Sequence, residues 1–288
     1  MTRRGFLFTL SVLLLLGFLV TFSIYYSAKP RQLAKELTSS LKIERAGFVA
    51  DDLETDLNRL IGIGLDLNSG SPNTVLTLND RLPSDFNRAR LSLWEAFAEG
   101  AYARSQSSAV DVNAQGLLDA NAELLFNNGL QYLFARTDEN SLQLFVPGGD
   151  TNFLSLDINL FVNDDLNSSV PWTLGSGDTN VTLRYYDTIA SNAFVSSGLL
   201  SSASANQYIL RYSALSTDSL TITFGRIEGS DAALKIDHSI DNLSTLTRAQ
   251  IMAVFATPSK PLVVFANLDL NYTQADMNLS RKAVLARG

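Results

Sequence analysis

The chain of 288 residues contains no cysteine and a single histidine. Without cysteine it has no disulfide framework, no thiolate ligand for a metal and no thiol nucleophile. With one histidine, a metal site built on two histidines is excluded as well. A chain of this length buries enough apolar surface to fold without disulfides, so the lack of cysteine does not decide the redox compartment.

Positive charge is also scarce. Lys and Arg number 22 against 29 Asp and Glu, and the formal net charge is −7. Setting aside Arg3 and Arg4 at the N-terminus leaves −9 for the remainder. Nucleic acid is therefore not an expected partner, because no basic stripe is present to replace phosphate counterions.

The sequence lacks the common catalytic motifs. It has no Gly-x-Ser-x-Gly elbow, no Gly-x-x-x-x-Gly-Lys loop and no Gly-x-Gly-x-x-Gly fingerprint. His238 alternates with Ile236 and Ile240 along a predicted strand, which favours a structural histidine over a general base. The sequence therefore predicts no enzyme and no cofactor. Paired carboxylates for glycoside hydrolysis stay open, since their separation is set in space.

Charge is missing altogether from Gly5 to Ala28, a run of 24 residues. As a helix this run is about 36 Å long, against about 30 Å for the hydrocarbon core of a bilayer. It predicts a signal-anchor that spans the membrane once and contacts lipid through residues 5–28. A cleaved secretory signal is the alternative, but the apolar stretch is long and Tyr26 stands where a small residue is wanted.

The orientation of the chain in the membrane is predicted from weaker signals than the uncharged run. The positive charges on the two flanks are nearly balanced, and we expect a cytoplasmic N-terminus with an extracytoplasmic C-terminal domain. Five Asn-x-Ser/Thr sequons suit an exported, glycosylated cell-surface protein, and they lie at Asn167, Asn180, Asn242, Asn271 and Asn278.

The first residues carry a family resemblance. Arg3-Arg4-Gly5-Phe6-Leu7-Phe8-Thr9-Leu10-Ser11 precedes a leucine-rich helix. The N-terminal stretch of about thirty residues resembles the start of type IV pilins and pseudopilins, particularly archaeal pilin-like proteins. The resemblance implies that a peptidase cuts after Gly5, that Phe6 begins the mature chain, and that the apolar helix packs into a filament core. The family usually has Glu at the fifth mature position, where this chain has Leu10.

Three regions are predicted: the transmembrane helix over 1–28, a mainly helical stalk or packing region over 29–128, and a β-rich extracytoplasmic domain over 129–288. Pro30 predicts a kink or break. An amphipathic helix follows as far as Gly62-Ile-Gly64, and it either packs against other copies or lies on the domain's own sheet. Its acidic cluster, Asp51 to Asp56, is interpreted as a solvated face.

Helices are predicted after Ser84 or Asp85 and over about 114–126, and the last residues, 278–288, are expected to fray. Beyond Gly129 short alternating runs predict eight strands, at 142–146, 153–162, 181–186, 208–212, 220–224, 233–236, 251–256 and 262–270. The predicted fold class is α+β, in which the helical segments precede a mostly antiparallel β-sandwich or jelly-roll-like domain.

One tetrapeptide occurs twice. Gly-Asp-Thr-Asn stands at 149–152 and again at 177–180. Asp150, Asn152, Asp178 and Asn180 are candidate calcium ligands, whereas tight turns closed by Asx hydrogen bonds are the alternative. Turn chemistry is favoured, because the spacing differs from that of a calcium-binding loop.

These observations predict a non-catalytic, membrane-anchored surface protein, as a pilin-like or minor filament component that associates with itself or with other envelope proteins. One alternative is an anchored recognition module that binds glycans or envelope proteins through its strand loops, around Ser196 to Asn206. Another is an envelope hydrolase with an unrecognised carboxylate pair.

Overall fold

The fold was analysed in a computed structural model that describes residues 3–70, 72–119, 122–134, 140–175, 177–187, 189, 192–212, 218–240, 244–256, 261–274 and 277–287. It confirms an α+β fold whose sheets are mostly antiparallel.

The helices are α1 (Arg3–Ile61), α2 (Arg88–Phe97), α3 (Ala103–Ser105) and α4 (Gln115–Leu118), with a π-helical turn (Ala98–Tyr102) between α2 and α3. The strands are β1 (Gly64–Ser69), β2 (Asn73–Leu82), β3 (Ala109–Asn113), β4 (Ala122–Phe126), β5 (Gln131–Phe134), β6 (Ser141–Phe145), β7 (Ser155–Val162), β8 (Ser168–Val170), β9 (Thr179–Asp187), β10 (Ala193–Leu200), β11 (Asn206–Arg211), β12 (Ser219–Ile227), β13 (Ser230–Ser239), β14 (Thr247–Ala256), β15 (Val263–Gln274) and β16 (Met277–Arg287).

The strands form two sheets. Sheet A has the order β1-β2-β14-β7-β9-β10, and its β7–β9 pair is parallel. Sheet B has the order β16-β15-β4-β5-β6-β13-β12-β11-β8, with β3 also paired to β15. One hydrophobic cluster contains inward-facing residues of both sheets, an arrangement consistent with a β-sandwich. The Phe194 ring of sheet A stacks on Tyr208 of sheet B at 5.8 Å between centroids.

Helix α1 is 59 residues long and continues through Pro30 without the predicted break. A proline removes only one helical hydrogen bond, so the turns on either side can carry the helix past it. Its last turns pack on the domain through apolar residues spaced by three or four, all nearly fully buried: Ala46, Val49, Leu53, Leu57 and Ile61. The helix ends at Gly62, whose φ of +73° favours glycine and whose N–H donates to the Asn58 carbonyl at 3.2 Å.

The second half of α1 therefore lies on its own domain, as one of the two alternatives predicted. The predicted boundary between 128 and 129 does not separate two units, because β2 pairs with β14 and β4 pairs with both β5 and β15. The cause is long-range strand pairing, which brings the 64–126 region into both sheets.

Three predicted local structures are wrong. The Asn87 side chain, rather than Ser84 or Asp85, caps α2 by accepting from Arg90 N–H at 3.0 Å. The helix expected over 114–126 is only the short α4 followed by β4. The C-terminal residues expected to fray form β16, which pairs with β15 and is held against α1.

Among the described residues, none of the helices combines the length with the apolar character that crossing a membrane requires. The helix predicted over 5–28 is thus confirmed as part of α1, but its transmembrane character is not.

Candidate functional site

A cleft of about 680 Å³ opens on sheet A beside Gly62, the residue that ends α1. Its lining comes from the end of β2, the start of β14 and the end of β7 together with the residues that adjoin them: Asn79, Asp80, Arg81, Phe161, Asn163, Leu246, Arg248, Ala249 and Gln250. Roughly 300–1,000 Å³ is the usual size of a ligand pocket, so the cleft is large enough for a small organic molecule.

A row of amides crosses the outer face of sheet A. Asn79, Gln250 and Asn159 are register partners on β2, β14 and β7, and we call them the amide ladder. Asn159 Nδ2 donates to Gln250 Oε1 at 2.8 Å, and Gln250 Nε2 donates to Asn79 Oδ1 at 3.0 Å. Each amide has two donor hydrogens and an oxygen with two lone pairs, so the ladder keeps hydrogen-bonding capacity after these bonds form.

Arginine residues extend this polar surface. Arg184 of β9 continues the ladder, with Nη1 3.4 Å from Asn159 Oδ1 and 3.5 Å from Asp157 Oδ2. Arg81 and Arg248 lie directly opposite each other on β2 and β14. Arg81 Nη2 pairs with Asp85 Oδ2 at 3.0 Å, whereas the Arg248 guanidinium has no ionic or hydrogen-bonding partner among the described residues.

An aromatic pair borders the cleft on its β7 side. Phe161 and Tyr186 stack with ring centroids 5.0 Å apart and an interplanar angle of 12°. Tyr186 lies on β9, which pairs with β7 on the side opposite β14. The Tyr186 ring therefore packs against Phe161 from the side away from β14. Phe161 is 40% exposed, which leaves an apolar wall for the cleft.

A buried carboxyl group lies beneath the cleft. Tyr132 donates its hydroxyl to Asp80 Oδ2 at 2.6 Å, and the Arg81 N–H donates to Asp80 Oδ1 at 2.7 Å. Burial raises the pKa of Asp80 to about 6, although both hydrogen bonds act in the opposite direction. The same burial, with the neighbouring carboxylate, raises the pKa of Tyr132 well above its usual value.

This geometry does not supply the pair of carboxylates that glycoside hydrolysis commonly uses. Asp80 is the one carboxylate among the described residues that line the cleft, and both of its oxygens already accept hydrogen bonds. The groups that the cleft offers to a ligand are amides, a guanidinium and an aromatic wall.

The first half of α1 is a second candidate site. Every side chain from residue 12 to residue 26 is exposed. The large apolar residues in this stretch, such as Leu13 and Phe18, are 46–69% exposed. An exposed apolar surface of this extent is typical of segments that contact lipid or protein.

An apolar stripe continues along α1 beyond this stretch. Leu37, Leu41 and Phe48 are each 64% exposed. Their spacing of four and seven residues puts them on one helix face, roughly opposite the face formed by Leu53 and Leu57 that packs on the domain. The stripe therefore points away from the β domain.

The acidic cluster of α1 is exposed at Asp51, Asp52 and Asp56, as a solvated face should be, whereas Glu54 is buried and three of the four residues also hold the helix in place. Arg281 Nη2 contacts Asp51 Oδ1 at 3.0 Å and Glu54 Oε2 at 2.9 Å. Glu54 Oε1 also accepts from the Val284 N–H at 2.8 Å. On the other side of the helix, Tyr102 donates its hydroxyl to Asp52 Oδ2 at 3.1 Å. These contacts tie α1 to β16 and to the π-helical turn.

The first Gly-Asp-Thr-Asn repeat forms an Asx turn. Asn152 N–H donates to Asp150 Oδ1 at 3.0 Å, and Asn152 has a φ of +53°. The Thr151 N–H donates to the Asp231 carbonyl, and the Asp231 N–H returns to Gly149 O. Asp150 is thus used within the protein as a turn-closing acceptor.

The second repeat closes a connection between strands. Asp178 accepts from the Ser202 hydroxyl at 2.5 Å and from the Ser202 N–H at 2.9 Å, and these bonds lower the pKa of Asp178. Asn180 lies exposed on β9. Among the described residues, no group of three or more acidic or histidine side chains is placed to hold a metal ion.

His238 lies on β13 and is 2% exposed. Neither ring nitrogen has a hydrogen-bond partner among the described residues, and burial lowers the pKa of His238. His238 is not among the residues that line the cleft.

The structure also places the predicted modification sites. Asn167, Asn180 and Asn278 are exposed, whereas Asn271 is half-buried with Nδ2 donating to Asp111 Oδ2 at 3.0 Å. Asn242 lies outside the described residues. Gly5 and Phe6, the predicted cleavage position, lie in the first turns of α1.

The stretch from Ser196 to Asn206, predicted to recognise ligands as a loop, is in part a strand, and most of its side chains are exposed or half-buried. Residues as far as Leu200 belong to β10, and Asn206 Nδ2 donates to the carbonyls of Ser201, Ser204 and Phe224. The cleft residues were not recognised in the sequence. Their signal is the alternation of exposed polar and aromatic residues along β2, β7 and β14, but it does not show which strands are neighbours.

The chain matches no protein-family model, and neither the comparison with curated proteins nor that with solved structures finds a similar protein.

Proposed function

We propose that this is a non-catalytic surface protein anchored in the cell membrane by the first half of α1, with its β domain outside, and that copies associate along α1 as pilin-like filament components do. The observation that carries the proposal is that one continuous helix exposes apolar side chains from residue 12 to residue 26 and buries its other end in the domain. The uncharged run in the sequence, residues 5–28, extends beyond that exposed stretch at both ends.

Association between copies is supported by the stripe Leu37, Leu41 and Phe48. These residues follow Lys29, Arg31 and Lys35, which favour the polar side of a membrane interface. Lipid tails therefore do not cover the stripe, whereas the same face of a second α1 would bury it. The family's Glu at mature position five is replaced by Leu10 in this chain. The alignment of neighbouring copies would therefore be set by the stripe and by the domain.

Cysteine cross-linking tests the association directly, because the chain has no cysteine of its own. Leu41→Cys and Phe48→Cys should each give disulfide-linked dimers in intact membranes under mild oxidation. Thr173→Cys, on an exposed loop of the domain, is the matched control and should remain monomeric. Equal cross-linking at all three positions, or none at residues 41 and 48, would reject packing along α1.

Anchoring and processing are tested on the same cells. A chain that stays in carbonate-washed membranes, starts at Phe6 and loses its domain to external protease supports the proposal. A protein recovered in the soluble fraction with a start near Lys29 would instead support cleavage of a secretory signal.

A further inference from the structure

The cleft on sheet A is a feature that the proposed anchoring does not explain. Its polar groups are arranged in two adjacent rows across the sheet. One row is the amide ladder, and the other is Arg81, Arg248 and Phe161, which are register partners on β2, β14 and β7. Together they present hydrogen-bond donors, hydrogen-bond acceptors, positive charge and an aromatic wall within one depression.

The opposed arginines point to an anionic ligand. Like charges directly opposite on neighbouring strands destabilise a sheet. Asp85 neutralises Arg81 at 3.0 Å, but no described residue neutralises Arg248, which is exposed in the cleft. Asp80 is on the inner side of β2, where its oxygens are occupied by Tyr132 and by the Arg81 N–H. A planar guanidinium binds a carboxylate through two parallel hydrogen bonds, so Arg248 is suited to a carboxylate from outside.

The amides and the aromatic wall define the rest of the ligand. Hydroxyl groups both donate and accept hydrogen bonds, as the amides of Asn79 and Gln250 do. Phe161, supported by Tyr186, offers a flat apolar surface beside them. A molecule that combines many hydroxyls, a flat C–H face and a carboxylate is a uronic acid in a glycan.

We propose that this cleft binds a segment of an acidic glycan, with one sugar ring against Phe161, its hydroxyls on the amide ladder and its carboxylate on Arg248. The site is independent of the proposed anchoring by α1, and it lies on the face of sheet A rather than in the strand loops.

The test is calorimetric titration of the full chain in detergent micelles with a tetramer of galacturonic acid. The carboxyl-reduced form of the same tetramer should bind about tenfold more weakly, because it lacks the charge-assisted bonds to Arg248. Tetraglutamate carries similar charge without sugar rings, and it should not compete.

Substitutions test the roles proposed for Arg248 and Phe161. Arg248→Gln and Phe161→Ala should each weaken binding of the galacturonate tetramer about tenfold. Arg248→Lys should have an affinity between those of the wild type and Arg248→Gln, because lysine keeps the positive charge but lacks the paired N–H donors of the guanidinium. Arg90→Gln removes the same charge from α2, and it should leave the affinity unchanged. Both cleft positions are exposed, and thermal melts should confirm that the variants are folded.

Three results would overturn the proposal: no binding of the tetramer, equal affinity of the wild type and Arg248→Gln, or equal binding of tetraglutamate with no effect of Phe161→Ala. The last outcome would make the cleft a site for acidic peptides.

Discussion

Asp80 is a residue whose charge opposes folding. Its pKa is raised by burial to about 6, from a usual value of 3.8. Between these values the folded chain holds a proton that the unfolded chain has lost, so stability falls as the pH rises from about 4 to about 6. Above pH 6 the penalty is constant, at roughly 2–3 kcal/mol.

Asp80→Asn should remove this dependence on pH. The amide stays neutral and still reaches the Tyr132 hydroxyl, so we expect the variant to gain about 1–3 kcal/mol at pH 7.5 and almost nothing at about pH 3, below both pKa values. Urea unfolding followed by the fluorescence of the buried Trp94 and Trp172 measures both values. A gain that is the same at both pH values would contradict the assignment.

At the scale of elements, Arg281 of β16 is the residue that pairs this strand with the acidic residues of α1. Arg281 is 25% exposed and contacts Glu54, which is itself 8% exposed. Arg281→Gln should cost about 1–3 kcal/mol of unfolding free energy, because it removes the guanidinium that pairs with the buried Glu54 carboxylate.

Lys282→Gln provides the comparison for that experiment. Lys282 lies next in sequence and pairs with Asp269 at 3.6 Å, but both side chains are nearly half exposed. Its loss should cost less than about 0.5 kcal/mol. If the two variants lose the same stability, the pairing of Arg281 with Glu54 contributes no more than an exposed ion pair does.

The strands show which secondary structure can be predicted from the sequence and which cannot. All eight predicted strands are present, since strict alternation such as that of Leu220, Ile222 and Phe224 reports one-sided burial directly. The Ala-Glu-Leu-Leu-Phe segment of β4 instead has good helix formers, and its pairing with β5 and β15 overrides that propensity.

Of the two candidate sites, one could be predicted from the sequence and the other could not. The exposed helix was predictable, because a long uncharged run is a property of the chain alone. The cleft was not, because Asn79, Asn159 and Gln250 come together only through strand pairs that join residues 91 and 171 positions apart in the sequence. The register of a sheet is decided by the whole core rather than by any local pattern.

At the scale of the whole molecule, α1 has two separable parts. Among the α1 side chains whose burial is described, a chain that begins at Leu41 keeps all the buried ones, and we expect it to fold without detergent. A chain that begins at Gly62 loses Leu53, Leu57 and Ile61 from the core. Each buried side chain contributes about 1.5–3 kcal/mol, so the loss approaches the total stability of an ordinary domain and this chain should not fold. Circular dichroism and gel filtration distinguish the two outcomes.

The position of Gly62 has a geometric consequence. The helix ends where the cleft begins, and from residue 28 to residue 62 it runs for about 50 Å. That length is a built-in spacer between the apolar segment and the cleft. If α1 is anchored as proposed, a rigid helix of this length would keep the cleft at a constant height and tilt, and neighbouring copies aligned along α1 would present their clefts at one level, as a row of equivalent contacts for a long polymer.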